Sequence, residues 1–596
     1  MIEKRTIERL WRDAIAEQRT TPAYLIQDGE EWRPLSWAEA AERVEGYANG
    51  LLSLGVRKGD AFAILGSSRV EWALFDFALG SIGAIGAAIY ANSSPRDAGY
   101  ILEHSESIGV LCEDETQRAK VESVRGVIPR LRHVLAYTDL DDLAARGRAH
   151  AAEHPNALRE AGEQIEEDDL FTYIYTSGTT GPPKGCMISH RNYYAMVAVV
   201  DDLPSYTGPD DTMLLYLPLA HNFGRLMHLS GAYVGYAIAF LPDPLQAAAA
   251  LPAVKPTVFP SVPRVYEKIH TAVVAKLDAE TGAKRKLIDW ALRVGHRVGA
   301  LRRAGKPVPI GLMAQHRVAD KLVFSKVKER LGGRLRLAIS GGAPLSAEIA
   351  EFFHAIDILL LEGYGLTECT TAASTNTHEA YRFGTVGRAL PGTEVKVADD
   401  GELLIRSDTV FQGYFKDPEA TAEVLGADGW LRSGDIAEID EDGFIIITDR
   451  KKDIIVTAGG KNVAPQNLEN DLKASKFVSQ AMVVGDRQPY IAALITLDQE
   501  ALPAWAAERG LPTDMQSLAQ AGEVRELVQG IVDGVNADRS RYEQIKRFAI
   551  LPRDFTMDYD ELTPTLKLKR RVVAQHFGAE LDELYGGETL NQAAGV

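Results

Sequence analysis

The sequence of 596 residues predicts an α/β protein: a large N-terminal body of α/β layers with a β-rich subregion, and a small α+β C-terminal domain. Short apolar runs alternate with amphipathic helical segments over most of the chain, which is the pattern of α/β layers. The length also exceeds that of one ordinary domain. After Trp430 the pattern changes to short β-like runs and a charged cluster. We therefore predict domains at residues 1–450 and 451–596.

The first element with a full set of helix signals begins at Ser36. Glu39 stands three residues later and completes a capping box, an apolar stripe at helical spacing follows, and Gly55 supplies the stop. Residues 61–65 then form an apolar run of the kind expected of a buried strand. Helix followed by strand is the alternation that an α/β layer requires.

Three later apolar runs, at residues 171–175, 335–339 and 358–361, each end in a loop rich in glycine or hydroxyl side chains. Loops at strand ends are where α/β sheets bind ligands. The charged sequence at residues 268–330 interrupts this series. We expect it to be a solvated helical elaboration of the body without chemistry of its own.

Composition and charge exclude several classes of protein. The formal net charge of −18 opposes nonspecific attraction to nucleic acid and to anionic lipid. The three cysteines are far apart and lack metal-ligand spacing, so we expect neither a disulfide framework nor a zinc site. Residues 1–15 lack the apolar core of a secretory signal. Two apolar stretches, at 77–91 and 226–241, are shorter than the about 18–20 residues that span a bilayer, and we expect both to be buried helices.

These observations favour a cytoplasmic protein without a transmembrane segment. They leave open a loose, peripheral contact with a membrane. They also leave open whether the protein is a monomer or a homodimer.

The strongest local signal is the segment of residues 175–185, in which a strand is followed by hydroxyls, glycines and one lysine. Glycines let backbone N–H groups approach a phosphate, hydroxyls donate to its oxygens, and Lys184 offers a cation. The Walker motif requires glycine, lysine and Ser or Thr in succession, whereas Pro183 and Gly185 flank this lysine. The loop residues predicted to bind phosphate are Thr176, Ser177, Gly178, Thr179, Thr180, Gly181 and Lys184.

This loop resembles the signature of the adenylate-forming superfamily, which includes acyl-CoA synthetases, firefly luciferases and nonribosomal peptide adenylation domains. Further motifs of that family follow in the expected order along almost the whole chain. Residues 217–221 resemble the motif whose histidine, His221 here, lies beside the acyl pocket and the coenzyme A tunnel. Judged alone, His221 would be a satisfied core histidine.

Residues 363–368 resemble the family's adenylate motif. The resemblance implies that Tyr364 packs on adenine, that Thr367 contacts the α-phosphate, and that Glu368 holds Mg²⁺ together with Thr176. An aromatic π face, a donating hydroxyl and hard oxygen ligands suit these roles. The residues that the resemblance places along the nucleotide are Gly341, Gly342, Ala343, Gly363 and Gly365.

Residues 433–435 resemble the ribose motif, so Asp435 is expected to accept hydrogen bonds from both ribose hydroxyls, with Arg450 assisting. The segment 449–462 resembles the hinge and gate motif. There Lys452 would absorb the rotation of a mobile C-terminal domain, and Gly459 would line the pantetheine tunnel. A moving domain suits the chemistry because adenylation and thioester formation need different groups at one centre.

Residues 562–570 resemble the motif that carries the adenylation lysine, which maps to Lys567. Its ammonium would bridge the attacking carboxylate and the α-phosphate and stabilise the developing charge. Other family members commonly have glycine where Leu566 stands. Lys569 is the alternative lysine.

Several stretches, such as residues 262–268, look specifically like long-chain fatty acyl-CoA synthetases. The resemblance implies an AMP-forming long-chain fatty acid–CoA ligase that uses ATP, Mg²⁺ and coenzyme A, with Tyr266 as either a gate to the alkyl tunnel or a packed aromatic. A medium-chain or aryl acid–CoA ligase, or a fatty acyl-AMP ligase that transfers to a carrier protein, stays open. A catalytically dead fatty-acid-binding protein would be expected to lose Lys184, Glu368 or Lys567, and none is missing.

Overall fold

The structure, a computed structural model, describes residues 4–29, 31–176, 182–203, 205–537, 539–563 and 567–586. Within these residues the N-terminal body contains two mainly parallel sheets and one antiparallel sheet. The C-terminal domain contains a three-stranded sheet and a short hairpin. The predicted α/β body with a β-rich subregion and a small α+β C-terminal domain is therefore confirmed.

For each sheet of the described residues, the strands are named below in their spatial order from one edge to the other. The nine-stranded sheet contains Arg388–Ala389, Ser374–Thr375, Leu359–Tyr364, Leu337–Ser340, Val258–Ser261, Thr212–Leu215, Ala237–Phe240, Tyr24–Asp28 and Glu31–Leu35. The six-stranded sheet contains His133–Ala136, Gly109–Cys112, Ala61–Gly66, Ile85–Tyr90, Leu170–Thr176 and Lys184–Ser189. The antiparallel sheet contains Glu394–Val397, Glu402–Arg406, Leu431–Ile439 and Ile445–Arg450. The C-terminal strands are Val478–Val484, Ile491–Leu497 and Ile545–Ile550, with the hairpin Ile455–Val456 and Asn462–Val463.

Helices cover the sheets of the body and both faces of the C-terminal sheet. The helices of the body are Ile7–Ala16, Trp37–Ser53, Val70–Ser81, Pro95–His104, Glu115–Val124, Leu140–Glu153, Ala157–Glu163, His190–Ala198, Asn222–Val234, Ala247–Val254, Pro263–Asp278, Gly282–Arg303, Ile310–Ala319, Ser325–Arg330, Ala347–Ala355 and Pro418–Val424. The helices of the C-terminal domain are Pro465–Lys473, Ala501–Ala507, Met515–Gln520, Gly522–Asn536, Arg570–His576 and Gly578–Leu584. None of the described helices combines the length and the apolarity needed to cross a bilayer.

The first predicted helix and strand are confirmed. Helix Trp37–Ser53 begins with a complete capping box in which Ser36 and Glu39 exchange hydrogen bonds, and strand Ala61–Gly66 is buried along its whole length. Helical sequence also fills most of residues 268–330, as expected.

Residues 77–91 and 226–241 were each predicted to form one buried helix. The prediction is wrong for the second half of each stretch, which forms a strand. The first helix ends at Ser81, Gly83 adopts φ 69°, and a strand follows. The second ends at Val234, Gly235 caps it at φ 98°, and another strand follows. Both glycines take the left-handed conformation that favours glycine and ends helices, so each apolar stretch is a helix, a turn and a buried strand.

The two domains have separate apolar cores. The main core of the body includes residues as far along the chain as Ile445, and the core of the C-terminal domain begins with Ile455. Between them, Arg450 is the last residue of the antiparallel sheet and pairs in register with Asp435. The C-terminal domain is thus joined to the body directly after a residue of the predicted ribose site.

Candidate active site

A cavity of about 1600 Å³ lies between the body and the C-terminal domain. It forms where the strand-end loops of the two large sheets meet, with Thr176 from one sheet and residues 340–342 and 363–365 from the other. The structure brings most of the predicted site residues to this cavity. They are Thr176, Lys184, His221, Gly341, Gly342, Gly363, Tyr364, Gly365, Thr367, Glu368, Asp435, Arg450, Lys452 and Lys567.

The remaining predicted residues lie elsewhere. Ala343 is exposed next to the cavity, and Gly459 is exposed at the turn of the hairpin Ile455–Val456 and Asn462–Val463. Tyr266 is 1% exposed, and its hydroxyl donates to the backbone carbonyl of Phe259 at 2.5 Å. In this conformation Tyr266 is therefore a packed aromatic and not part of the described cavity wall. The predicted phosphate-loop residues Ser177, Gly178, Thr179, Thr180 and Gly181 lie outside the described residues.

The part of the cavity where the sequence predicts phosphate binding is built on two antiparallel strands, in which Thr176 and Lys184 are direct neighbours. The ammonium of Lys184 lies 3.5 Å from Asp417 and 5.1 Å from the centre of the Tyr414 ring. The hydroxyl of Tyr414 donates to Glu368 at 2.6 Å. Tyr414 thus contacts the Lys184 ammonium with its ring and the Glu368 carboxylate with its hydroxyl. Sequence reasoning missed Tyr414 and Asp417, since neither belongs to a motif with a distinct chemical pattern.

The donor set in this part of the cavity fits a magnesium ion. Glu368 supplies a carboxylate and Thr176 a hydroxyl, while no group of three or more His, Cys, Asp or Glu ligands occurs among the described residues. Mg²⁺ prefers oxygen ligands and is usually held by one or two carboxylates together with substrate phosphates and water. Glu368 and Thr176 therefore suit a magnesium ion that takes most of its ligands from the phosphates of a nucleotide.

Another part of the cavity wall presents a nearly buried carboxylate, that of Asp435. Asp435 is 7% exposed, accepts a hydrogen bond from the Tyr364 hydroxyl at 2.6 Å, and lies 3.5 Å from the guanidinium of Arg450. Burial raises the pKa of Asp435, and the Arg450 charge opposes that rise. Because a carboxylate accepts about four hydrogen bonds, Asp435 keeps acceptor capacity for a vicinal diol.

Two of the glycines predicted to lie along the nucleotide, Gly365 and Gly341, differ in how strictly packing requires them. A Cβ on Gly365 would lie 2.0 Å from the carbonyl oxygen of Thr371, so packing alone requires glycine there. A Cβ on Gly341 would lie 3.3 Å from the Phe223 ring, which is tight but not prohibitive. The glycine at 365 therefore carries no independent evidence for a nucleotide.

Lys567 reaches the cavity from the C-terminal domain. Its backbone N–H donates to the Thr563 hydroxyl at 3.0 Å, and the Thr563 N–H donates back to the Lys567 carbonyl at 2.8 Å. Burial, together with the nearby charge of Arg450, lowers the pKa of Lys567 to about 8, while the charges of Asp435 and Glu368 oppose this shift. The alternative lysine, Lys569, also lines the cavity, and its ammonium forms an ion pair with Asp560.

His221 caps the helix Asn222–Val234, and its Nδ1 accepts a hydrogen bond from the Phe223 N–H at 3.2 Å. Burial lowers its pKa to about 3, so the imidazole is neutral at physiological pH. Beyond it the cavity becomes apolar. That part of the wall is formed by Met196, Val197, Val200, Leu203, Phe223, Leu226, Met227 and Ser230. Because a helix rises about 1.5 Å per residue, the face from Phe223 to Ser230 runs for about 10 Å.

Behind this helix lies a fully buried ion pair between Arg225 and Asp76, both 0% exposed. Arg225 also donates to the Thr172 hydroxyl at 2.6 Å, on the strand that ends at Thr176. One side chain thus joins the helix beside the apolar cavity to the strand that leads into the phosphate loop. Sequence reasoning did not find this pair.

A strand-end nucleotide site completed by a lysine from a second, smaller domain defines an adenylate-forming enzyme. The chain belongs to the AMP-binding enzyme family: it matches the AMP-binding enzyme domain over residues 11–415 and the AMP-binding enzyme C-terminal domain over residues 452–589.

The chain is similar in sequence to fatty acid–CoA ligases and in structure to adenylate-forming enzymes. The long-chain-fatty-acid–CoA ligase FadD15 of Mycobacterium bovis is 38% identical over 96% of both chains. The long-chain-fatty-acid–CoA ligase ACSBG2 of Homo sapiens is 31% identical, covering 97% of this chain and 92% of that one. Among solved structures, an anthranilate CoA ligase with anthranoyl-AMP has a TM-score of 0.73 at 20% identity, covering 96% of this chain and 98% of that one. The adenylation domain of a Mycobacterium chelonae carboxylate reductase has a TM-score of 0.75 at 23% identity, covering 97% and 91%. At these identities the structures show the shared fold.

Proposed function

We propose that this protein is an AMP-forming long-chain fatty acid–CoA ligase. It would convert a fatty acid and ATP to acyl-AMP and pyrophosphate, and then acyl-AMP and coenzyme A to acyl-CoA and AMP. The observation that carries the proposal is that Lys567 reaches the cavity that also contains Thr367, Glu368 and Asp435. The two ligases above, whose names specify long-chain fatty acids, support the choice of substrate.

In the first step a carboxylate oxygen of the fatty acid attacks the α-phosphorus, and the bond from that phosphorus to the pyrophosphate oxygen breaks. Tyr364 and Asp435 would hold adenine and ribose, and Thr367 would donate to the α-phosphate. Lys567 would place its positive charge between the carboxylate and the α-phosphate, where negative charge develops. Mg²⁺ held by Glu368 and Thr176 would neutralise charge on the phosphate oxygens.

At the far end of the nucleotide, Lys184 would neutralise the departing pyrophosphate. Its ammonium lies beside Asp417 and over the Tyr414 ring, so a triphosphate would exchange a weak, part-exposed ion pair for a stronger contact. Because the ion pair with Asp417 is weak, breaking it would cost little of the free energy gained when Lys184 binds the phosphate.

The second step needs a different face of the C-terminal domain. In this structure Lys567 lines the cavity, and Gly459 is exposed on its hairpin. Rotation about Lys452 would withdraw the lysine and bring the Gly459 hairpin to the reaction centre, where the thiolate of coenzyme A attacks the acyl carbonyl and AMP leaves. Neutral His221 would lie beside that centre.

The apolar wall beyond His221 suits an alkyl chain. Each CH₂ group moved from water into such a cavity contributes about 0.8 kcal/mol, so a long cavity favours long acids strongly. We further propose a cytoplasmic location, which is supported by three cysteines that are buried and free.

The test separates the two half-reactions. With ATP, Mg²⁺ and palmitate, acyl-CoA should form only when coenzyme A is present, and Lys567→Ala should lower adenylation far more than thioester formation from supplied acyl-AMP. Acyl-AMP that persists with coenzyme A would instead indicate transfer to a carrier protein. Preference for short or aromatic acids, in a series from acetate to arachidate, would replace the long-chain assignment.

A further inference from the structure

The helical elaboration of the body has a charge opposite to that of the rest of the molecule. Residues 268–330 contain 15 Lys and Arg but five Asp and Glu, whereas the whole chain has 65 and 83. The remainder of the chain therefore carries 50 basic and 78 acidic residues. At physiological salt a charge is screened beyond about 8 Å, so an approaching surface experiences the local positive charge and not the net negative charge.

Within this region one helix face is both apolar and exposed. Ile310 is 90% exposed, Val318 is 49% and Leu322 is 43%. With the exposed Ala314 they stand four residues apart, along helix Ile310–Ala319 and the π-turn that continues it. Residues four apart lie above one another on a helix, so these side chains form one stripe. The opposite face, including Leu312, His316, Ala319 and Val323, is buried.

Two basic side chains stand next to this stripe. Arg317 and Lys321 are exposed, and neither forms an ion pair with another described residue. Lys306 is exposed in the loop just before Ile310. Apolar side chains in a row with unpaired cations beside them are the pattern of helices that lie in a membrane interface.

We propose that this basic–apolar face, formed by Lys306, Ile310, Arg317, Val318, Lys321 and Leu322, docks on the surface of an anionic lipid bilayer. The cations would contact lipid phosphates, and the stripe would enter the boundary between headgroups and acyl chains. A protein partner is less suited, because a stable protein interface buries about 800 Å² on each side and this stripe is one side chain wide. Given the proposed function, docking would place the enzyme where long-chain acids partition.

The test measures binding without catalysis, so its result does not depend on the proposed function. The protein is sedimented with vesicles of phosphatidylcholine alone or of phosphatidylcholine and phosphatidylglycerol in equal parts. We expect binding to the mixed vesicles that weakens with salt. Arg317→Gln with Lys321→Gln should lower the partition coefficient about 30-fold, which corresponds to two charges at about 1 kcal/mol each.

A matched control removes two exposed charges from the C-terminal domain, Arg487→Gln with Lys546→Gln, and should bind like the unaltered protein. Val318→Ser with Leu322→Ser should weaken binding while leaving its salt dependence unchanged. Equal losses in the control and in the first pair would overturn the proposal. Unaltered protein that stays in the supernatant with mixed vesicles would also overturn it and favour an acidic protein partner for this face.

Discussion

The lowered pKa of Lys567 predicts a specific alkaline limit for adenylation. Burial lowers this pKa to about 8, and only the protonated ammonium can stabilise negative charge on the carboxylate and the α-phosphate. Activity is therefore present below the pKa and is lost as pH rises through it. Because the protonated fraction falls tenfold per pH unit above the pKa, kcat/KM for ATP should fall about tenfold by about pH 9.

The charges around Lys567 predict two shifts of the alkaline limit of activity. The charge of Arg450 lowers its pKa, so Arg450→Gln should move the alkaline limit of kcat/KM upward. Bound ATP adds negative charge beside the ammonium and favours its protonated form. The alkaline limit of kcat, which reports the complex with substrate, should therefore lie above that of kcat/KM.

The assay is pyrophosphate release without coenzyme A, with hydroxylamine to trap the acyl-AMP, from about pH 6 to about pH 10. Glu362 titrates close to this alkaline limit, since burial raises its pKa to about 8. Glu362→Gln should keep the alkaline limit, whereas Lys567→Ala should lose it together with most of the rate. A limit that survives in Lys567→Ala, or that disappears in Glu362→Gln, would refute the assignment to the lysine.

Three other predictions test separate parts of the site. Tyr364→Phe removes a hydrogen bond to the Asp435 carboxylate while keeping the ring, so KM for ATP should rise about tenfold or more; an unchanged KM would contradict this role. Arg225→Met leaves Asp76 as an unpaired buried charge, so urea denaturation followed by fluorescence should show a loss of about 3–5 kcal/mol, and a loss below about 1 kcal/mol would contradict it. Ser230→Leu fills the apolar part of the cavity, so kcat/KM should fall for the longest acids and stay constant for short ones, whereas a uniform loss would place Ser230 outside the acyl path.

Most of the residues predicted for the site line this one cavity, and the sequence could name them because its motifs are short and keep their chemical groups within a few residues. Thr367 and Glu368 follow one strand, and their place at the cavity follows from strand-end geometry, which α/β sheets share. Asp435 lies in the middle of strand Leu431–Ile439, where it pairs with Arg450, the last residue of the next strand. Lys567 could be identified in the same way, although its distance from the other groups depends on how the two domains are oriented.

The contacts that sequence reasoning missed join residues that are distant in the chain. Tyr414 and Glu368 are 46 residues apart, and Arg225 and Asp76 are 149 apart. A tyrosine or an arginine has no intrinsic signal for such a partner, and most arginines are exposed. Burial of a charge becomes favourable only when the partner is already placed by the fold, since an unpaired buried charge costs several kcal/mol. Buried polar pairs of this kind are therefore a consequence of the tertiary structure, and variants at Arg225 measure how much this side chain stabilises the packing of helix Asn222–Val234 on strand Leu170–Thr176.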